Sequence, residues 1–504
     1  MPDPEKVQEI VFQIKNKPTI MKKQVFTVWI LFIATFLNAQ KTRPELQFNK
    51  EGSFKIAQFT DIHWSNGSPN CSRTVAIIKQ VLASEKPGLA ILTGDIVTDT
   101  PARDGWLAIA KIFEEARIPW ALTLGNHDEE AGMSGEAIFE LLKNLPFFVG
   151  EKGPKISGNG NYVLKIKSKS KAKTAALLYC LDSHNKPAAY KYGHYDWIHY
   201  DQIEWYRKTS RALTTQNGGV VLPSLAFFHI PLIEFNHVAG KESTLGNKGE
   251  GVASPEINSG LFCSMVEQKD VMGVFVGHDH NNDYIGIDQG IALAFGRSSG
   301  IDAYGNLERG SRIIKMYEGK QQFDTWIRTT KGTELEYYYP SGLSLNDEVS
   351  SEFLPAKKIK VKRPGVSYKY YEADFKLRHT DKIASARLVK EGVLNNFSLA
   401  PAVVKDSMAF EFHTYIHIPE DGVYQFYTFS DDGSKLFIDG KLVVDNDGSH
   451  SLRRANGKLA LKKGYHEMKL LYFENYMGEF LEVGISSRQF REDVIPDNML
   501  FIAE

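Results

Sequence analysis

Five short polar motifs, each directly after an apolar run of strand length, constrain this chain more than any other feature. Asp61 and His63 stand in QFTDIHW, Asp95 in LTGDIV, Asn126 and His127 in LGNHDE, His229 in FFHIP, and His278 and His280 in VGHDHN. The apolar runs Phe54 to Phe59, Leu89 to Leu92, Trp120 to Leu124, Leu225 to Phe228 and Val271 to Val276 have the length of buried strands. Helical stretches lie between several of them; in the first, Val75, Ile78 and Leu82 fall on one face. The region from Phe54 to about Ile327 therefore reads as α/β. In α/β sheets the carboxyl ends of the strands gather in one crevice, so residues hundreds of positions apart converge there.

Each motif alone is weak, since Gly-Asn-His also makes a turn and a His-x-His pair is commonly core or surface. Five in order, each at a strand end, point to one site. The oxygen and nitrogen atoms of Asp61, His63, Asp95, Asn126, His229, His278 and His280 would surround a pair of metal ions, with the Asp95 carboxylate bridging them. His, Asp and Asn accept manganese, iron or zinc, so the residue types do not name the metal.

A length of 504 residues calls for two or three globular units. Apolar residues at 42% and charged residues at 24% are ordinary globular values and exclude a disordered chain or a membrane bundle. The net charge of -1 gives no reason to bind nucleic acid or an anionic membrane, and the basic run Lys357 to Arg363 reads as solvated chain. Cys71, Cys180 and Cys263 are too few and too far apart for a disulfide framework. Lys22 and Lys23 precede an apolar run from Val25 to Leu37 and the small residue Ala39, the pattern of a signal peptide over residues 21–39. The run is shorter than the roughly 20 residues of a bilayer span, so no permanent membrane span is expected. Residues 1–20 are charged and unlike the start of such a peptide, so Met21 reads as the true start and 1–20 as a misassigned extension. Export follows, to the periplasm, the cell surface or the medium.

The motifs resemble the calcineurin-like metallophosphoesterase superfamily, most closely the branch akin to purple acid phosphatases, over residues 54 to 320. The resemblance implies a β-sandwich flanked by helices within a domain over 50–330. It also implies one ion on Asp61, His63, Asp95 and His280 and a second on Asp95, Asn126, His229 and His278. His127 is not a ligand in that family; it faces the phosphate and is similar in role to a general acid. The purple enzymes have glycine where His63 stands and a tyrosine where this chain has Thr98, so no iron-tyrosinate colour is expected. Protein serine/threonine phosphatases place an aspartate at the Thr98 position to orient the catalytic histidine; here Asp128 is the candidate neighbour.

Two cations sharing a water lower its pKa from 15.7 towards about 7 and clamp the oxygens of an in-line displacement. The expected activity is hydrolysis of phosphate monoesters by the hydroxide so formed, with Asn126 and His127 hydrogen-bonding near the phosphate and His127 protonating the departing alkoxide. A phosphodiesterase or nucleotidase uses the same clamp and is the alternative; a non-catalytic adhesin is a third reading, disfavoured by the complete ligand set. Substrate choice is expected from Asp182 to Trp205 and Ile230 to Asn258, where Tyr192, Tyr195 and Trp197 could line a pocket but read more readily as core and are not assigned.

Residues 331–365 are rich in charge and turn residues and read as a linker. Beyond them, alternating runs such as Val423 to Phe429, Lys435 to Ile438 and His466 to Phe473, broken by Asp-Gly turns, predict an all-β sandwich over 366–490. The stretch Tyr424 to Gly448 resembles protective-antigen-type sandwich domains. In carbohydrate-binding members an aspartate pair at the position of Asp431 and Asp432 helps to hold calcium, and the resemblance implies Ca2+ there and a glycan or cell-surface polymer as partner. The same residues also read as a plain hairpin turn.

Overall fold

The computed structural model describes residues 43–503 apart from Glu242 and Ser350. The extension over 1–20 and the signal peptide over 21–39 lie outside the described residues. Among the described residues no helix is long and apolar enough to cross a membrane.

The first unit holds β1 (Ser53–Phe59), β2 (Leu89–Thr93), β3 (Trp120–Thr123), β4 (Tyr162–Lys167), β5 (Thr174–Cys180), β6 (Ser224–Phe227), β7 (Val271–Val276), β8 (Ile285–Asp288), β9 (Ile291–Phe295), β10 (Gly310–Tyr317), β11 (Phe323–Thr329), β12 (Thr333–Tyr339) and β13 (Leu343–Ser344), of which β1, β2, β3, β6 and β7 form at the five apolar runs. They assemble into a seven-stranded sheet of order β13-β12-β11-β10-β1-β2-β3 and a six-stranded sheet of order β4-β5-β6-β7-β9-β8. β1, β2 and β3 run parallel, as do β5, β6, β7 and β9. Every residue of β2, β3, β6, β7 and β9 is buried, which explains their unbroken apolarity: each is covered on both faces.

The two sheets face one another through a shared core that includes Phe59, Ile91, Leu178, Phe227, Phe275 and Ile313. Helices Cys71–Glu85 and Ala102–Ala116 cover the first sheet through Ile78, Leu82, Trp106 and Phe113. Helices Tyr200–Gln216 and Leu261–Gln268 cover the second through Ile203, Tyr206, Leu261 and Met265. This is the β-sandwich flanked by helices that the sequence led one to expect.

The linker expected over 331–365 differs. Its first part folds as β12 and β13 and extends the seven-stranded sheet, with Tyr337 and Tyr339 in the core and the Tyr339 ring stacked on Phe323 at 4.8 Å. The three tyrosines of β12 sit among charged residues, and that mixture hid the strand. After the short helix Leu345–Val349, Leu354 and Lys357 bridge to Leu461 and Tyr465 of the C-terminal unit.

That unit is all-β, with an eight-stranded and a four-stranded sheet enclosing a separate core of Tyr370, Phe410, Phe426, Leu470, Tyr472 and Ile485. It meets the first unit through a small cluster in which Val423 and Ala460 touch Tyr338 and Leu343. Arg488 bonds Asp324 at 3.1 Å and lies 3.7 Å from the Tyr338 ring centre. The three cysteines are free.

Candidate metal centre

All five motifs lie just beyond the carboxyl ends of parallel strands: Asp61 and His63 after β1, Asp95 after β2, Asn126 and His127 after β3, His229 after β6, and His278 and His280 after β7. Asp61, His63, Asp95 and His278 hold positive φ of 49°, 46°, 53° and 79°. Left-handed backbone at four non-glycine residues is costly, and such strain concentrates where side chains must be aimed at one point. The flanking glycines are required by space. A Cβ on Gly94, at φ +81°, would stand 2.5 Å from the His229 ring, and one on Gly125 would stand 2.3 Å from Asp95 Oδ1.

The ligand atoms of Asp61, His63 and His280 form one group within 4.8 Å of one another, and those of Asp95, His229 and His278 form a second. His280 Nε2 lies 3.3 Å from Asp61 Oδ1. Asp95 touches both groups, its Oδ2 standing 3.1 Å from His229 Nε2 and 3.7 Å from His63 Nε2. Its Oδ1 accepts the backbone N–H of His127 at 2.9 Å. The sequence-predicted residues are thus brought together, with Asp95 between the two groups.

Buried atoms without hydrogen-bond partners test whether this arrangement suits cations. His63 Nε2, Asn126 Oδ1, His229 Nε2 and His278 Nε2 are all buried and unpartnered. A buried polar group left unsatisfied costs roughly 1–3 kcal/mol, so four gathered in one crevice fit metal ligands. His229 Nδ1 meets the Thr93 carbonyl at 2.7 Å, which commits that nitrogen as donor and leaves the Nε2 lone pair facing Asp95. Protein groups alone settle that encounter with a proton: against burial, which disfavours charge, Asp95 pushes His229 up to about 10. Burial and then the charge of His229 push His278 down to about 3. Asp61 is held at about 2 because the attraction of His280 overcomes the opposing effect of burial.

Asp128 does not orient His127. Fully buried, its carboxylate accepts four backbone N–H bonds, from Ile96 at 2.7 Å, Gly125 at 2.8 Å, Asp95 at 3.0 Å and Val97 at 3.1 Å, and so fastens the loop after β3 to the loop after β2. Burial, then the like charge of Asp95, push it up to about 7 against these donors. His127 is instead held by Glu130, whose Oε2 lies 2.6 Å from Nδ1. The other Glu130 oxygen faces Lys186 Nζ at 3.7 Å. The only sequence signal for Glu130 is its spacing of three from His127, which any surface helix turn also provides.

Two tyrosines flank the crevice. Tyr195, read from the sequence more readily as core than as pocket lining, sets its ring edge-on to His278 at 4.6 Å. Tyr304 stacks on His280 at 3.9 Å, and its hydroxyl bonds Glu250 at 3.1 Å. Trp197 stacks on His199 at 5.6 Å, and Tyr192 meets Trp197 edge-on.

In the C-terminal unit Asp431, Asp432 and Glu474 bring carboxylate oxygens within 4.8 Å. Asp432 accepts the N–H groups of His450 at 2.7 Å and Asn475 at 2.9 Å. Glu474 is fully buried with both oxygens unpartnered, and burial followed by the charges of Asp432 and Asp431 pushes it up to about 8. A bare hairpin turn requires no such third carboxylate. Sequence reading missed Glu474 because it ends a strand 42 residues downstream of Asp432. Oxygen-only donors of this kind suit a hard cation such as Ca2+.

A helix-flanked β-sandwich with two histidine-carboxylate groups at its strand ends is the arrangement expected of the metallophosphoesterase family. Residues 54–282 match the calcineurin-like phosphoesterase family, and residues 362–496 match the PA14 domain. "Probable inactive purple acid phosphatase 29" of Arabidopsis thaliana is 34% identical over 322 residues, covering 57% of this chain and 83% of the relative. "Phosphatase DCR2" of Saccharomyces cerevisiae is 32% identical over 355 residues, covering 61% of this chain and 60% of the relative. A dimetal phosphatase from Danio rerio aligns with a TM-score of 0.41 at 12% identity, covering 56% of this chain and 98% of its own. The chain belongs to the calcineurin-like phosphoesterases, with relatives named as probable inactive purple acid phosphatases, and carries a C-terminal PA14 domain.

Proposed function

We propose that this protein is an exported, metal-dependent phosphatase acting on phosphate monoesters, tethered through its C-terminal domain to a glycan or surface polymer. The observation that carries the reading is the set of four buried, unpartnered ligand atoms gathered with Asp61, Asp95 and His280 in one crevice. A decayed hydrolase has no reason to keep strained backbone at four of these positions.

Asp61, His63, Asp95 and His280 would hold one transition-metal ion, manganese, iron or zinc, and Asp95, Asn126, His229 and His278 a second. When bound, such ions supply positive charge for the phosphate oxygens and acidify a water. The chain's own residues do the rest. Asp128 fixes the loops that carry Asp95 and Asn126. Glu130 occupies His127 Nδ1, so Nε2 is the nitrogen left to donate a proton to the leaving alkoxide. With its side chain 40% exposed, His127 sits where a substrate can reach it.

The test is a panel of matched aryl phosphate monoesters and diesters, assayed after Mn2+, Fe2+ or Zn2+ is added back. Turnover of monoesters above diesters supports the reading, preference for diesters moves it to a phosphodiesterase, and no turnover by metal-loaded protein overturns it. Export is tested by N-terminal sequencing of the secreted protein, which should begin just after Ala39. In the C-terminal domain, Asp431, Asp432 and Glu474 would hold Ca2+ that contacts sugar hydroxyls; glycan-array binding that survives calcium chelation would count against this.

A further inference from the structure

A second histidine cluster lies outside the dinuclear crevice, on the segment between β5 and the helix Tyr200–Gln216. His184, Asp196 and His199 bring one ligand atom each within 4.8 Å of one another, all three residues partly buried. His199 Nε2 stands 3.1 and 3.2 Å from the two Asp196 oxygens, close to the ~3.3 Å separating two ligands of a tetrahedral ion bonded at 2.0–2.1 Å. The His184 and His199 rings lie 4.5 Å apart.

The hydrogen bonds around His184 set its tautomer. Gln202 Nε2 donates to Asn161 Oδ1 and to the Asp182 carbonyl, both at 2.8 Å, so Gln202 Oε1 is an acceptor. That oxygen accepts the N–H of His199 and lies 2.7 Å from His184 Nε2, which therefore carries the proton. The lone pair is left on His184 Nδ1. An acceptor that takes the N–H of one ring nitrogen and so leaves the other free is the usual outer support of a metal-binding histidine. His184 also adopts φ 62°, the left-handed conformation seen at four ligands of the main site, and its N–H is held by Asp182 Oδ1 at 2.9 Å.

We propose that His184, Asp196 and His199 hold a third transition-metal ion, of the zinc class, with water completing its coordination. Two histidines and one carboxylate with an open position are a donor set suited to such a cation. The ion joins the end of β5 to the start of the helix Tyr200–Gln216 and so closes the intervening chain, residues 185–195, into a loop. That loop carries Lys186 beside Glu130 and Tyr195 against His278. The third ion thereby holds in place the segment bordering the catalytic histidine.

The experiment is elemental analysis and Zn2+ titration of the full chain, with 2 mM Ca2+ present to saturate the C-terminal carboxylates, while tryptophan emission is followed. Trp197, stacked on His199, reports occupancy. The expected result is three zinc equivalents for the wild type and two for His184→Gln and Asp196→Asn, with the late emission change lost in both variants. Asp95→Asn should lose zinc from the dinuclear site yet keep the equivalent that changes the emission, which separates failure of this site from failure of the main one. Two equivalents in the wild type, or an unchanged third equivalent in both His184→Gln and Asp196→Asn, would overturn the proposal.

Discussion

Replacing Glu130 by Gln tests how the general acid is held. The substitution keeps the size of the side chain and removes the charge from the 2.6 Å contact with His127 Nδ1. A hydrogen bond involving a charged group contributes roughly 1.5–3 kcal/mol. Here the two side chains are 40% and 43% exposed, so solvent screening brings the contact nearer the ~1 kcal/mol of a good surface pair. At 1.36 kcal/mol per tenfold in rate, a loss of ~1 kcal/mol is about fivefold in kcat. The loss should appear with alkyl phosphates such as glycerol phosphate, whose alkoxide must be protonated as it leaves, and should shrink towards none with p-nitrophenyl phosphate. His127→Ala, which removes the acid itself, should cost ~10² or more on the alkyl ester with the same leaving-group dependence. Both variants should retain their metals. The assay is kcat and KM for the two substrates together with metal content. Equal losses on both esters, or loss of metal in Glu130→Gln, would refute the assignment of Glu130 as the positioning residue.

Asp95→Asn should lower metal content and turnover together, because the Asp95 carboxylate faces imidazole nitrogens of both ligand groups; full loading with full activity would remove the site assignment. Asp128→Ala leaves four buried N–H groups without their acceptor and should destabilise the first unit by ~3 kcal/mol or more, read as an early thermal transition. Glu474→Gln should weaken Ca2+ binding to the C-terminal domain by calorimetry while phosphatase kinetics stay unchanged. A chain ending after Val349 keeps β12 and β13 and every proposed ligand of the main site, so it should hydrolyse small esters about as well as the full chain. Its melting temperature should fall by a few degrees, because Tyr338 and Leu343 lose Val423 and Ala460; a soluble, metal-loaded but inactive product would show that the C-terminal unit helps to build the site. Iodoacetamide at pH 8 should modify Cys263, which is exposed, and spare Cys180, whose thiol burial pushes up to about 12.

By itself the sequence carried the candidate ligand motifs at the strand ends and the change from α/β to all-β patterning. Metal ligands are drawn from few residue types, and here each candidate follows a short, largely buried strand, so a local pattern carried both the fold and the chemistry. The Asp431-Asp432 pair was legible for a similar reason, as part of a contiguous stretch. What supports those groups was decided only in three dimensions. Asp128 adjoins His127 in the chain, yet its carboxylate turns inward to four N–H groups, and the contact with the His127 ring goes to Glu130 three residues on in the same turn. Glu474 joins Asp432 only because two strands of one sheet end side by side, and His184 meets Asp196 and His199 only because the chain doubles back after β5. β12 went unseen because its tyrosines are buried by a neighbouring strand and a second sheet rather than by a period of their own. Isolated acidic and histidine residues in loops look alike in sequence, and a role separates them only when folding removes water and fixes which atoms face one another.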